Sequence, residues 1–465
     1  MPEKAKAPER ERLASRLGFI LLSAACAIGI GNVWRFPYVA GKCGGGWFVL
    51  FYLVSLLALG IPVLMMEFAC GRAAQRSIAK LHSVLTPSKP AWGVHGALGS
   101  AGLFILMMFY TVVTGWMALY FLKAAGGAFQ RASDFETLFG AALAAPGAMT
   151  AATLVVIWAA VVVCAIGLKN GLERVNKWMM LALLALIAVL AFRSLTLDGA
   201  AEGAKFYLVP DWSRVREAGV MTVIVEAMNQ AFFTLSLGIG SMAIFGSYIG
   251  KDHSLLKESL YVAALDTLVA LAAGLIVIPA CFAFHVAPGK GPGLVFVTLP
   301  QVFRGMTLGR VWGTLFFLFM TFAAFSTVLA VFEGIIASIR DYTGWGRRKA
   351  SLALGAAISV MALPAILGYN AWSAFHPLGG GSTILDFEDF VVSNILLPLG
   401  GLAFALYSAH GFGWGWDAFA RECDSGRGVK VPRFARGYCR WVLPALIVAL
   451  VALGLVDRFV VKIFQ

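Results

Sequence analysis

The chain has 465 residues, of which 60% are hydrophobic and 13% charged, with a mean hydropathy of +0.82. That is far more apolar than a water-soluble fold with ordinary cores, and it excludes a soluble enzyme or binding module. The formal net charge of +13 does not mark a nucleic-acid surface, because the basic residues gather in alternate loops and not on one face or tail.

Stretches of roughly 20 apolar residues, the length a bilayer core requires, recur from Leu17 onward. They predict spans at 14–41, 46–70, 96–124, 150–167, 172–193, 219–249, 258–284, 311–340, 350–368, 388–412 and 438–462. The first is too long for a signal peptide, lacks a small-residue cleavage site and carries Asn32 and Arg35. Lys4, Lys6, Arg10, Arg12 and Arg16 precede it; Arg72, Arg76 and Lys80 follow the second span, Lys169, Arg174 and Lys177 the fourth. The alternation continues through Lys251 and Lys257, Arg340 to Lys349, and Arg421 to Arg440. The positive-inside rule makes these loops and the N-terminus cytoplasmic, as in a multi-pass plasma (inner) membrane protein. The loop 285–310, with Pro288, Pro292 and Pro300, is too broken to span and is expected outside as a lid.

Two segments are interrupted by the same Gly-Ile-Gly tripeptide, in the first helix of each consecutive group of five. They are Gly29-Ile30-Gly31, midway between Arg16 and Lys42, and Gly238-Ile239-Gly240. Glycine costs about 1 kcal/mol in a helix interior, and backbone groups freed in hydrocarbon cost several more unless something binds them. Small-residue packing would explain one such segment; two at corresponding positions point to inverted repeats around a midplane site.

Polar side chains inside spans are costly and mark function. Asn32 follows the first break, Gln230, Thr234 and Ser236 surround the second, and Glu67, Asp266, Ser326, Thr327 and Glu333 lie on other spans. The set is rich in oxygen, as hard cations require. The seven cysteines have no metal-ligand spacing and read as small apolar residues. The histidines form no cluster in the sequence, and His410 is the one well inside a predicted span.

The runs Arg16-Leu17-Gly18, Gly29 to Tyr38 and Gly44-Gly45-Gly46, then Gly60-Ile61-Pro62 with Glu67, Gly71 and Arg72, then Gln230 to Ser236, resemble the neurotransmitter:sodium symporters, bacterial amino-acid branch. The resemblance implies an all-α membrane protein of about eleven transmembrane helices. Two inverted five-helix repeats have helices 1 and 6 broken, the leucine-transporter-like fold, and one helix is added. The segments are 1–13 (cytoplasmic), 14–193 and 219–412 (the repeats) and 438–465. It further implies a non-enzymatic symporter that takes up neutral hydrophobic amino acids with two sodium ions, and no obligatory protein partner.

By the same resemblance the first sodium ion is held by the Ala27 carbonyl, Asn32, Thr234 and Asp266, and completed by the substrate carboxylate. The second has the carbonyls of Ala25, Ile28 and Ala323 and the hydroxyls of Ser326 and Thr327. The substrate carboxylate meets the amides of Ile30 and Gly31, at the positive end of a half-helix, and the Tyr110 hydroxyl. Its ammonium sits on the carbonyls of Ala27, Phe233 and Thr234 and on Ser236; its side chain lies among Leu106, Tyr110, Phe233, Ile239 and Val331. Gly29 stands where amine-transporting relatives have aspartate, so the substrate must bring its own carboxylate. Glu67 is expected to accept hydrogen bonds from the freed backbone of helix 6. Arg35 with Asp389 forms an outer gate, and Arg10 with Asp341 and Tyr248 an inner one.

Two positions depart from the family pattern: Leu13 replaces the tryptophan before helix 1, and Leu181 the proline ten residues after Gly171. In chloride-dependent relatives the anion lies near positions matching Tyr52, Gln230, Asp266 and Ala270. Asp266 supplies a negative charge there, so transport without chloride is expected, with a proton on Asp266 in the return step. A channel would need a continuous polar path, whereas these residues share one depth. An intramembrane enzyme would need a nucleophile–base or paired-acid constellation, which no span offers. A non-transporting sensor of the same fold would be separated by concentrative uptake.

Overall fold

The structure is a computed structural model that describes residues 13, 15–286 and 293–459. Among them, nine helices are long and apolar enough to cross a membrane. We number the spans in chain order. Span one is the bent pair Arg16–Ala27 and Gly31–Lys42, kinked by 56°. Spans two to five are Gly46–Ala74, Pro90–Ala125, Pro146–Ile166 and Leu168–Leu195. Span six is interrupted, as Val220–Thr234 and Ser241–Gly246. Spans seven to eleven are Leu255–Ala283, Gly309–Thr343, Arg347–Leu367, Ile384–Ala409 and Ala435–Gly454. Among the described residues the chain is all-α, with spans one and six broken as the resemblance implies.

Five segments widen into π-helix just ahead of a proline. Gly31–Arg35, Leu56–Gly60, Leu294–Thr298, Val391–Leu396 and Tyr438–Val442 precede Pro37, Pro62, Pro300, Pro398 and Pro444. Proline offers no amide and its ring crowds the carbonyl one turn back, so the preceding turn closes on a more distant donor. Leu168–Glu173, at the start of span five, is a π segment without proline.

The lid segment is more ordered than its sequence suggests. From Gly293 on, Leu294–Thr298 and Leu299–Gly305 are helical and bury Leu294, Phe296 and Leu299. Phe296 sits among Trp34, Trp116, Tyr120 and Phe139, with ring centroids 4.8 to 6.0 Å away.

The interruption of span six is built into the sequence. Ser236, Gly238 and Gly240 take positive φ values of 50°, 101° and 75°, which no helix sustains. Gly238 also meets span ten backbone to backbone. A methyl group at Gly238 would sit 2.0 Å from the Leu397 carbonyl oxygen, and one at Gly400 would sit 2.1 Å from that of Gly238.

Candidate functional site

The two breaks face each other and expose main-chain oxygens to a buried polar cluster. The first helix half ends at Ala27, and Ile28 is extended, with ψ at 94°. The Gly29 amide donates to Asn32 Oδ1 at 3.2 Å, and the Ile30 amide to the Tyr110 hydroxyl at 2.9 Å. Asn32 Nδ2 donates to Asp266 Oδ1 at 2.8 Å and to its carbonyl at 3.1 Å, and Thr234 Oγ1 donates to Asp266 Oδ2 at 2.9 Å. Asn32, Thr234 and Asp266, from spans one, six and seven, are thus one fully buried unit. Gln230 Nε2 reaches the Gly31 carbonyl at 3.0 Å, while Gln230 Oε1 and the Tyr52 hydroxyl are buried without a partner among the described residues.

A second oxygen cluster joins span eight to the first half of span one. Thr327 Oγ1 lies 3.2 Å from the carbonyls of both Ala25 and Ile28, and 3.4 Å from that of Ala323. Ser326 Oγ lies 2.9 Å from the Ala323 carbonyl and 3.5 Å from that of Ala25. Backbone bonding within span eight therefore accounts for only part of these hydroxyls' contacts. All the donors are oxygens, three of them carbonyls, as a small hard monovalent cation requires.

Leu106, Tyr110, Ile239 and Val331 are buried and Phe233 partly so; Ile239 packs against Gly99 and Gly102 of span three. Two side-chain hydroxyls crowd Gly29: a methyl group there would fall 2.2 Å from the Tyr110 hydroxyl and 2.6 Å from Thr327 Oγ1. The Ser236 hydroxyl reaches the Cys26 carbonyl at 3.4 Å. Glu67 accepts the amides of Gly238 at 2.5 Å and Met242 at 3.1 Å. That carboxylate closes the accounting for two amides freed by the span-six break.

At the Asp389 end of the bundle, the Arg35 guanidinium lies over the Phe233 ring, 4.6 Å from its centroid. No ion pair joins it to Asp389 among the described residues. Asp389 accepts the Ser393 hydroxyl at 2.7 Å and lines a cavity of about 670 Å³ with Asp386 and Asn394. Elsewhere, Tyr248 donates to Glu333 at 2.5 Å, and Asp341 accepts the amide and hydroxyl of Ser77 at 2.8 and 2.6 Å. Arg10 lies outside the described residues.

Sequence reasoning missed several buried polar contacts. Glu333 is held by Arg347 at 2.6 Å, and Glu258 by Arg16 at 2.8 Å. The histidines, unclustered in the sequence, include one pair that meets in space. The helix Ile78–Leu85 folds back on the start of span three, and His82 Nε2 meets His95 Nδ1 at 3.1 Å. His95 is thus a second histidine inside a span, while His410 is the C-cap residue at the end of span ten, stacked on Phe412. Thirteen residues of separation that include two prolines gave no signal of this contact.

Comparison with known proteins decides the family. The model of the sodium:neurotransmitter symporter family matches residues 10–132 and 129–463. The chain belongs to that family. It is 37% identical to an uncharacterized sodium-dependent transporter, YhdH, of Bacillus subtilis over 396 residues, covering 85% of this chain and 86% of that one. A second uncharacterized sodium-dependent transporter, from Haemophilus influenzae, is 30% identical over 458 residues, 95% of this chain and 97% of that one. Among solved structures, MhsT in complex with L-phenylalanine is similar with a TM-score of 0.85 and 37% identity, covering 95% of this chain and 99% of that one. The sodium:neurotransmitter symporters are transporters and not enzymes, and this chain is a multi-pass, sodium-using member of that family.

Proposed function

We propose that the protein takes up neutral hydrophobic amino acids by alternating access, coupled to two sodium ions and without a chloride requirement. The observation that carries this reading is the buried unit of Asp266, Asn32 and Thr234 beside the bare backbone of Gly29 to Gly31. It offers a carboxylate, an amide and a hydroxyl to one cation, and leaves the substrate's own carboxylate to complete the shell. The first ion takes Ala27, Asn32, Thr234 and Asp266; the second takes Ala25, Ile28, Ala323, Ser326 and Thr327. The Ile30 and Gly31 amides with Tyr110 hold the substrate carboxylate; Ser236 with the Phe233 and Thr234 carbonyls holds its ammonium. Leu106, Ile239 and Val331 enclose its side chain.

The charge distribution supports an inner-membrane orientation with the N-terminus in the cytoplasm. Ion pairs tie the inner side together, Arg16 to Glu258 and Arg347 to Glu333. Arg35 and Asp389 act as the outer gate; Arg10, Asp341 and Tyr248 act as the inner one.

The test is a binding screen with purified protein, scored as the sodium-dependent fraction. Leucine, phenylalanine and tryptophan bind in that fraction, and isoamylamine and tryptamine do not, because they cannot supply the missing carboxylate. Equal sodium-dependent binding of tryptamine and tryptophan overturns the reading.

A further inference from the structure

A cavity of about 420 Å³ between spans three, nine and ten lies apart from the transport site. Ile105 and Met108 of span three wall it on one side, Trp372 and Phe375 of the loop after span nine on another, and Phe387 on span ten. Its lining is apolar except for Glu388.

Glu388 is 5% exposed, and its Oε2 has no hydrogen-bond partner among the described residues. Other buried carboxylates of the bundle are provided for. Glu67 takes two amides, Asp266 an amide and a hydroxyl, and Glu258, Glu333 and Glu422 take Arg16, Arg347 and Arg72. A buried acceptor left alone costs free energy and asks for an explanation. No basic side chain lines the cavity to supply one, whereas Trp372, Phe375 and Phe387 are 46%, 60% and 41% exposed at its rim. Aromatic faces around a carboxyl favour a cation with an apolar body.

We propose that this cavity is a second ligand site, for a small lipophilic primary ammonium arriving from the outer side. Its cation meets Glu388 and its apolar body lies against Trp372, Phe375 and Phe387. The volume suits a small organic molecule and is too small for a two-chain lipid. The site is separate from the one that admits Asp389: adjacent residues on a helix point about 100° apart, and Asp389 lines the other cavity. Occupancy therefore acts on the helical turn that carries the outer-gate residue without competing for the central pocket.

The experiment is equilibrium dialysis of 2-(1-naphthyl)ethylamine against the full chain in phosphatidylcholine nanodiscs, in potassium buffer free of sodium. Saturable binding is expected, weakened about tenfold or more for neutral 1-ethylnaphthalene and by Glu388→Gln, and weakened also by Trp372→Ala. It should persist in Leu106→Trp, which fills the central pocket. Equal binding of the neutral analogue, or unchanged binding in Glu388→Gln, overturns the cation site. Loss in Leu106→Trp assigns the amine to the central pocket and overturns it too. Loss on changing to phosphatidylethanolamine nanodiscs shows a lipid ammonium as the occupant and overturns the proposal of a free amine. If Glu388→Gln does not elute as a single species, the neutral analogue and Trp372→Ala decide the matter.

Discussion

The carboxylate of Glu67 accepts the amide of Gly238 at 2.5 Å and so fastens span two to the interruption of span six. Removing it leaves the amides of Gly238 and Met242 buried and unpaired, at about 1–3 kcal/mol each. Glu67→Ala is expected to lower the thermal midpoint markedly, and Glu67→Gln, which keeps one acceptor, to lower it less. Equal midpoints for the wild type and the alanine variant would show that water replaces the carboxylate.

Thr327 and Ser326 are the side chains that complete the carbonyl cluster of Ala25, Ile28 and Ala323. Their double replacement by alanine removes two oxygens from the site proposed for the second cation. Sodium activation of uptake is expected to shift to about tenfold higher concentration, with the thermal midpoint in sodium-free buffer little changed. An unaltered sodium curve would move the second ion elsewhere.

Uptake into proteoliposomes should continue when gluconate replaces chloride, if Asp266 carries the negative charge beside the first ion as proposed. Asp266→Asn is expected to lose chloride-free uptake by about tenfold or more. Wild-type uptake that collapses without chloride, or an asparagine variant fully active without it, would refute this role.

His82, in the short helix between spans two and three, is pushed down to about 3, first by burial and then by the nearby charge of His95. Its folded value thus lies below the unfolded value near 6.5, and the fold holds it neutral. That contribution is fully present above pH about 6.5 and declines as the pH falls toward 3, by at most about 1.4 kcal/mol per pH unit. Thermal scans between pH 7.5 and 4.5 should therefore show a steeper acid loss for the wild type than for His82→Gln. Parallel curves would mean that His82 does not titrate against the fold.

The breaks were legible because glycine in a hydrocarbon-spanning helix has few other reasons to recur as Gly-Ile-Gly at matching places. Asn32, Thr234 and Asp266 were legible as costly polar residues, and the structure brings Asn32 and Thr234 each within 3 Å of Asp266. The π turns ahead of five prolines could have been read, since the ring's clash with the preceding turn is local. The ion pair of Arg16 and Glu258 could not, because the partners lie 242 residues apart and nothing local to either names the other. Arg347 read as an ordinary loop charge, yet it reaches into span eight to neutralise Glu333. Glu388 was overlooked beside Asp389, as only packing reveals which of two neighbouring acids lacks a partner.

The bare contact between Gly238 and Gly400 makes span ten a lever. Its outer end carries Asp389, and its middle rests on the main chain of the span-six break with no side chain between them to cushion a shift. A tilt that closes the outer end therefore presses on Gly238 and, through its amide, on Glu67. Sensing at the vestibule and reshaping at the midplane become one movement of one rod, and any side chain at either glycine would act as a wedge under it.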